Sequence, residues 1–135
     1  MVVYVRLRVK STIGISKELI VLVNGGAHSE SPVIVVDENI GRELGFSSGE
    51  VYEVSTVDSR RNVYVVKDFV ELELLGENRE VLSKIKADLV VHPGLEEPLI
   101  TDSTIDMLGI KVESFYKGLW RHVNDPSAKI RRSAK

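Results

Sequence analysis

The stretch of this sequence with the clearest potential for chemistry lies at the end of an aliphatic run. Residues 21–30 have the sequence VLVNGGAHSE, and the aliphatic residues stop at Asn24-Gly25-Gly26-Ala27. An Asn-Gly pair between hydrophobic runs is a strong hairpin signal, because both residues tolerate positive φ. The same stretch is also compatible with an active-site loop that has lost its catalytic residue. Both interpretations, an ordinary turn and a degenerate active-site loop, follow from these four residues.

The other residue types that could do chemistry lack the spacing that chemistry requires. Three histidines have acidic neighbours in sequence, but none has the His-x-His or i, i+4 spacing of a metal site, so we expect no metal. Ser29 and Ser31 lack a Gly-x-Ser-x-Gly context, and no Gly-Lys-Ser/Thr follows Gly25-Gly26. The histidines and their neighbours are His28, His92, His122, Glu30, Glu96 and Glu97.

Composition restricts the class of protein. The chain has 135 residues, of which 43% are hydrophobic and 28% charged, as expected for one globular domain. It has no cysteine, which excludes disulfides, zinc–thiolate sites and cysteine nucleophiles. No apolar run approaches the roughly 20 residues of a membrane span, and the N-terminus does not resemble a signal peptide. We therefore expect a cytoplasmic protein without a cofactor or membrane partner. Its lack of glutamine is compatible with a thermophilic source.

Charge is distributed unevenly along the chain. From Lys117 onward there are six lysines or arginines against the single Asp125, although the net charge of the whole chain is −2. Such a tail could contact nucleic acid, but it has no aromatic interleaving after Trp120 and no known motif. We therefore expect residues 123–135, called the basic segment below, to be a flexible tail that contributes little burial and can be removed without loss of the fold.

Alternating apolar residues and turn signals predict a mainly β domain over residues 1–122, with one or two short helices. Val3, Val5, Leu7 and Val9 alternate with polar residues, as in a half-buried strand. One short helix is predicted from an N-cap at Asp37 to a glycine at Gly45, and another from near Asp102 to Gly109. The predicted strands cover residues 3–10, 17–23, 33–36, 51–57, 62–66, 70–75, 81–91, 111–116 and 119–121.

Two motifs of the sequence, taken in their order along the chain, resemble those of the retropepsin-like aspartic proteases. The first is a strand ending Leu-Val-Asp-Thr-Gly-Ala, matched by residues 22–27, and then a short strand and a helix ending Leu-Gly at Leu44-Gly45. The second is a late Pro-Gly…Glu-Pro-Leu-Ile-Gly segment, matched by residues 93–101, and then a helix ending at Leu108-Gly109. The similarity is greatest to archaeal and bacterial members. It implies a retropepsin-like acid-protease fold, a closed or partly open β-barrel that works as a homodimer.

Departures from the family pattern fall at the positions that the resemblance identifies as functional. The catalytic aspartate of the family falls on Asn24, and the threonine whose hydroxyl bonds across the dimer axis falls on Gly25. Thr101 replaces a glycine, and about four extra residues lie within His28 to Pro32. The hairpin that matches the flap (57–63) lacks the usual glycines. No catalytic residue is therefore expected, and Asn24, Gly25, Gly26 and Ala27 are predicted as binding residues.

Function follows from the loss of the carboxylate. In such enzymes two carboxylates share one proton, and an amide can act as neither the acid nor the base. We expect a catalytically degenerate homodimer that binds an extended peptide or protein segment. Three alternatives remain open. These are an active peptidase in which Asn24 is deamidated or replaced in its role, a nucleic-acid-associated β module using the basic segment, and an unrelated β domain with an ordinary Asn-Gly turn.

Overall fold

In the computed structural model of the chain, residues 2–47, 53–58 and 61–135 are described, with backbone alone for 53–58, 61 and 62. Ten strands and two short helices occur in these residues. The strands are β1 (Tyr4–Ser11), β2 (Ser16–Val23), β3 (Val33–Val36), β4 (Glu53–Asp58), β5 (Arg61–Leu75), β6 (Val81–Val91), β7 (Leu99–Ile100), β8 (Ile110–Ser114), β9 (Leu119–His122) and β10 (Arg131–Arg132). The helices are α1 (Glu38–Glu43) and α2 (Asp102–Leu108).

Six of these strands form a closed barrel. Their order is β1-β2-β7-β3-β6-β5, and antiparallel pairing of β1 with β5 closes the ring. β4 pairs with the outer edge of β5 as the predicted hairpin, although turn residues 59 and 60 lie outside the described part of the chain. The mainly β fold class and the barrel predicted from sequence are confirmed. Neither helix in the described residues is long enough to cross a bilayer.

The barrel interior is filled by alternate aliphatic residues of its strands. On β1, Val5, Leu7 and Val9 are buried, and their neighbours Arg6 and Arg8 lie on the outer face. Both helices begin and end near the predicted positions. Asp37 Oδ1 accepts a hydrogen bond from the Ile40 amide (2.9 Å), and Gly109 ends α2 in the left-handed conformation, with φ +78°.

β5 is one long strand and not the two strands expected from sequence. The pairing with β6 shifts register between Val66 and Val70, and Asp68 within this bulge has φ +52°. The buried carboxylate of Asp88 on β6 accepts a hydrogen bond from the Asp68 amide (2.8 Å). Because this bond satisfies a backbone donor that the ladder leaves unpaired, the strand continues through the bulge.

The basic segment is placed against the barrel, where most of its residues are exposed and the side chain of Arg131 is buried. Arg131 is only 4% exposed, and β10 pairs with β9 beside Trp120. The Arg131 guanidinium donates two hydrogen bonds to the carboxylate of Asp125, from Nε (2.7 Å) and Nη2 (2.8 Å). This ion pair holds the pKa of Asp125 well below its usual range. The charge that suggested a solvated tail therefore includes a buried, bidentate ion pair.

Backbone hydrogen bonds attach the end of the segment to the first strand. Ser133 Oγ accepts from the Tyr4 amide (2.8 Å), and the Ala134 amide donates to the Tyr4 carbonyl (2.8 Å). The Trp120 indole donates to the Arg132 carbonyl (3.2 Å). The segment thus covers Trp120 and the outer side of the barrel near β1.

Candidate functional site

The Asn24 loop leaves the barrel where β2 runs parallel to β7. The Asn24 amide donates to the carbonyl of Ile100, the last residue of β7 (3.1 Å). Its side-chain Oδ1 accepts from the Gly26 amide (3.1 Å), and its carbonyl accepts from the Ala27 amide (3.1 Å). Asn24 therefore closes a tight Asx turn by itself, with the side-chain oxygen as part of the turn.

The residues of this turn carry no titratable group. Asn24 and Ala27 are half-buried, and Gly25 and Gly26 are exposed. A Cβ built at Gly25 meets no heavy atom within 4 Å, so a side chain would fit there. The structure brings together the four predicted binding residues as one exposed loop that offers amide and backbone hydrogen bonds. It cannot transfer a proton through side chains of the loop itself.

The extra residues after the turn are attached to the start of α2. Ser29 Oγ lies 2.6 Å from Thr101 Oγ1 and 2.9 Å from Ser103 Oγ, and it donates to the Ser31 carbonyl (2.7 Å). The Asp102 amide donates to the Ala27 carbonyl (2.9 Å). Thr101 thus supplies a hydroxyl that the loop uses.

Asp102 makes the charged part of this attachment. Its carboxylate accepts from the Ser29 amide (3.1 Å) and lies 2.9 Å from His28 Nδ1. The hydrogen bond with Asp102 raises the pKa of His28, and the same bond lowers the pKa of Asp102, with a further contribution from the Ser29 amide. Both side chains are accessible to water, so this is a screened surface pair.

A buried hydroxyl connects α2 to the strand that follows the loop. Thr104 Oγ1 accepts from the Val33 amide (2.8 Å) and donates to the Val33 carbonyl (2.8 Å). Ser31, at the other end of the insertion, donates to the Asp88 carboxylate (3.1 Å). The loop from Asn24 to β3 is therefore fixed at both ends and in its middle, mainly by neutral hydrogen bonds.

The remaining sequence candidates serve other contacts. His122 is buried with Nε2 3.1 Å from the Leu108 carbonyl, and His92 Nδ1 lies 3.3 Å from the Pro93 carbonyl. Within the described ranges, no group of three or more histidines and acidic residues could hold a metal ion. Ser29 is held by its neighbours and has no arrangement for nucleophilic attack.

An apolar surface surrounds the Asn24 turn. Val2, Leu22 and Phe115 line an open pocket together with Val23 and residues 24–26. Val2 is 44% exposed and Phe115 49% exposed. We call this surface the Phe115 face. Exposed apolar patches of this kind commonly mark interaction surfaces.

Sequence reasoning missed the contacts of Ser29, Thr101 and Thr104. Ser29 and Thr101 are 72 positions apart along the chain. Thr104 is 71 positions from its partner Val33. The available local signal was the cap-like sequence Thr101-Asp102-Ser103-Thr104, which has more polar hydroxyls than a helix start requires. In the structure Thr101 is the N-cap but makes no side-chain cap bond, because its hydroxyl faces Ser29.

Comparison with known proteins gives matches at the level of structure. No protein-family model and no curated protein sequence matches the chain. The retroviral protease-like domain of Ddi1 from Leishmania major aligns with TM-score 0.59 and 8% identity, covering 100% of this chain and 95% of that one. A retropepsin-like aspartic protease from Rickettsia conorii aligns with TM-score 0.54 and 13% identity, covering 83% and 78%. The chain therefore has the fold of the retropepsin-like aspartic protease domains.

Proposed function

We propose that the protein is a homodimer of this fold that binds an extended peptide or protein segment and does not hydrolyse it. The observation that carries the proposal is Asn24. It stands where the motif of the resembling proteases has its aspartate, and its side-chain oxygen is engaged in the turn by the Gly26 amide. An amide has no proton to share with a second copy, so the dyad chemistry of the fold has no acid or base here.

The Phe115 face supports the dimer. The fold's site requires two loops, and this chain supplies one, so a second copy must bring the other to the same place. Val2 and Phe115 flank the turn and are half exposed, which gives an apolar surface for a two-fold contact. Sedimentation velocity at micromolar concentration should give a dimer.

A charge on this face tests where the dimer forms. Phe115→Glu should shift the protein to monomer, because a two-fold contact places the two added charges close together. Met107→Glu is the matched control, since Met107 is 56% exposed but does not line this face. A strict monomer in the wild type, or equal effects of the two substitutions, would contradict the proposed interface.

Peptide binding is supported by the backbone of the sheet. In the described part of the chain, β4 is an edge strand that pairs with β5 alone. An extended segment can add to such an edge through main-chain hydrogen bonds, which require no catalytic carboxylate. Binding of unfolded-protein fragments by the wild type, measured calorimetrically, with no cleavage product by mass spectrometry, is the expected result.

Restoring the catalyst tests the degenerate site. Wild-type protein should show no pepstatin-sensitive cleavage at mildly acid pH, and Asn24→Asp alone should restore little. The double variant Asn24→Asp with Gly25→Thr should gain more than the sum of the single changes, because the hydroxyl positions the carboxylates and Gly25 has room for it. Asn78→Asp, at an exposed turn position, controls for the added charge.

Deamidation must be controlled in this experiment, since Asn24 precedes glycine and can convert to aspartate. Intact mass measurement on each preparation identifies the converted fraction. Pepstatin-sensitive cleavage by protein with intact Asn24 would overturn the proposed loss of activity and favour the active-peptidase alternative.

A further inference from the structure

A second cavity, away from the Asn24 loop, lies between β1, the turn after β5 and the basic segment. Its volume is about 230 Å³. An engineered cavity of about 150 Å³ holds a benzene ring, so this one has room for a ring with a charged group attached. The residues that matter for its chemistry are Tyr4, Arg6, Leu75, Trp120, Arg131 and Arg132. We call it the arginine cavity.

Two arginines at this cavity have no carboxylate partner among the described residues, namely Arg6 and Arg132. Every other arginine whose side chain is described forms an ion pair with an aspartate or glutamate. Those paired arginines are Arg8, Arg42, Arg79, Arg121 and Arg131. The two arginines without a carboxylate partner among the described residues therefore both line the cavity between β1 and the basic segment.

The third arginine forms the inner wall. Arg131 is 4% exposed, lies 5.6 Å from the centre of the Trp120 ring, and gives Nε and Nη2 to Asp125. Its Nη1 lies toward Gly76, where a Cβ would come within 3.1 Å of it. Gly76 also lines the cavity, and a Cβ there would collide with the Glu80 carboxylate, so this carboxylate and the Arg131 guanidinium both lie beside the glycine.

We propose that the arginine cavity binds a small phosphate ester with an aromatic or apolar body. The planar guanidinium group of an arginine can donate two parallel hydrogen bonds to phosphate oxygens. Two guanidinium groups without a carboxylate partner also match the charge of a phosphate dianion. Leu75 and Trp120 provide the apolar lining for the body. Glu77 also lines the cavity and Glu80 borders it at Gly76; together with Asp125 these carboxylates offset the charge of Arg131, which leaves Arg6 and Arg132 to match the phosphate.

Trp120 allows a direct test, because it is the only tryptophan of the chain. Phenyl phosphate is titrated into the full chain while tryptophan fluorescence is followed, with benzoate and inorganic phosphate as comparison probes. We expect saturable binding of phenyl phosphate that is tighter than that of either comparison probe. Arg6→Gln and Arg132→Gln should each weaken it about tenfold or more, as for loss of a charge-assisted hydrogen bond.

The controls distinguish a built site from general attraction of anions. Arg79→Gln removes one positive charge from an exposed arginine that pairs with Glu18 outside the cavity, and it should leave the dissociation constant within about twofold. Arg132→Lys should recover part of the affinity because it keeps the charge but not the fork. Thermal unfolding of each variant confirms that it is folded.

Several outcomes would overturn the proposal. These are no saturable fluorescence change, equal weakening by Arg79→Gln, or tighter binding of a single-stranded oligonucleotide than of phenyl phosphate with a steep salt dependence. The last result would assign the arginines to nucleic acid instead. Because the cavity does not include the Asn24 loop, its test is independent of the proposed peptide binding.

Discussion

The loop at residues 24–32 and the basic segment at residues 123–135 both lie at the edge of the barrel, but they are held in different ways. The loop is fixed mainly by hydroxyls and backbone amides around Ser29 and Thr101, with a screened His28–Asp102 pair at the surface. The basic segment is fixed by the buried ion pair of Asp125 and Arg131. Carboxylates therefore help to hold structure in both regions, and the turn at Asn24 carries an amide.

The largest expected effect comes from breaking the buried ion pair. Asp125→Ala leaves the Arg131 guanidinium buried without its partner, which costs about 3–5 kcal/mol of unfolding free energy. Urea unfolding measures this loss. Glu18→Ala, which removes one partner of the exposed Arg79 pair, should cost less than about 1 kcal/mol. Similar losses in both variants would mean that the Asp125 pair is effectively solvated.

The pH dependence of this pair has a definite sign. Because the folded-state pKa of Asp125 is lowered, its contribution is present above the ordinary carboxyl pKa and is lost as the pH falls through the folded value. The stability difference between wild type and Asp125→Ala should therefore be constant near neutral pH and shrink only in strongly acidic solution.

Removing the basic segment as a whole should cost less than breaking its ion pair. Deletion of residues 124–135 takes away both charges, so no ion remains buried alone. It exposes Trp120 and Leu75 in part, which we expect to cost about 2–4 kcal/mol. Thermal unfolding and circular dichroism measure the change. An unchanged melting temperature would show that the segment is the dispensable tail that its composition suggested.

A smaller effect is expected at the loop. Ser29→Ala removes the hydroxyl that lies between Thr101, Ser103 and the Ser31 carbonyl, and we expect a loss of about 1–2 kcal/mol. Ser16→Ala changes an exposed hydroxyl at the start of β2 and serves as the matched control, with almost no effect. If both variants unfold alike, the hydroxyl cluster does not hold the loop.

The smallest effect is that of the surface pair. The pKa of His28 is raised, so its contribution is present below about 6.5 and is lost as the pH rises through the folded value. The pKa of Asp102 is lowered, so its contribution disappears in acid. The difference between wild type and His28→Asn should thus be greatest at mildly acid pH. An NMR titration that gives His28 an ordinary pKa would contradict the pair.

Local sequence was sufficient for the elements and insufficient for the contacts between distant ones. Alternation on β1, the cap at Asp37 and the end of α2 at Gly109 are properties of neighbouring residues, and all three were predicted. The continuity of β5 depends on Asp88, which lies 20 positions from the amide it binds. A carboxylate that completes a bulge has no signature within the strand that it joins.

The same distinction applies to charge. Six cations near the end of the chain suggested a solvated segment, because composition contains no information on pairing geometry. Asp125 and Arg131 are only six positions apart, yet their burial depends on Trp120 of β9, which pairs with β8 and β10 in a separate three-stranded sheet. Resemblance in the motif around Asn24 predicted the fold, because glycine and aliphatic positions are set by the backbone path itself.

Closure of the barrel between β1 and β5 has a consequence for the order of folding. β1 pairs with β2 across a short turn. Its pairing with β5 joins residues that are far apart in the chain, because Ser11 lies opposite Val70 and Leu7 lies opposite Leu74. Joining segments so far apart has an entropic cost that slows folding. We therefore expect hairpin formation to precede closure of this seam. The Ala134 amide binds β1 at Tyr4 and β10 pairs with β9, so we expect the last residues of the chain to dock after both of these strands have formed. Fluorescence of Trp120 would then report the final kinetic phase.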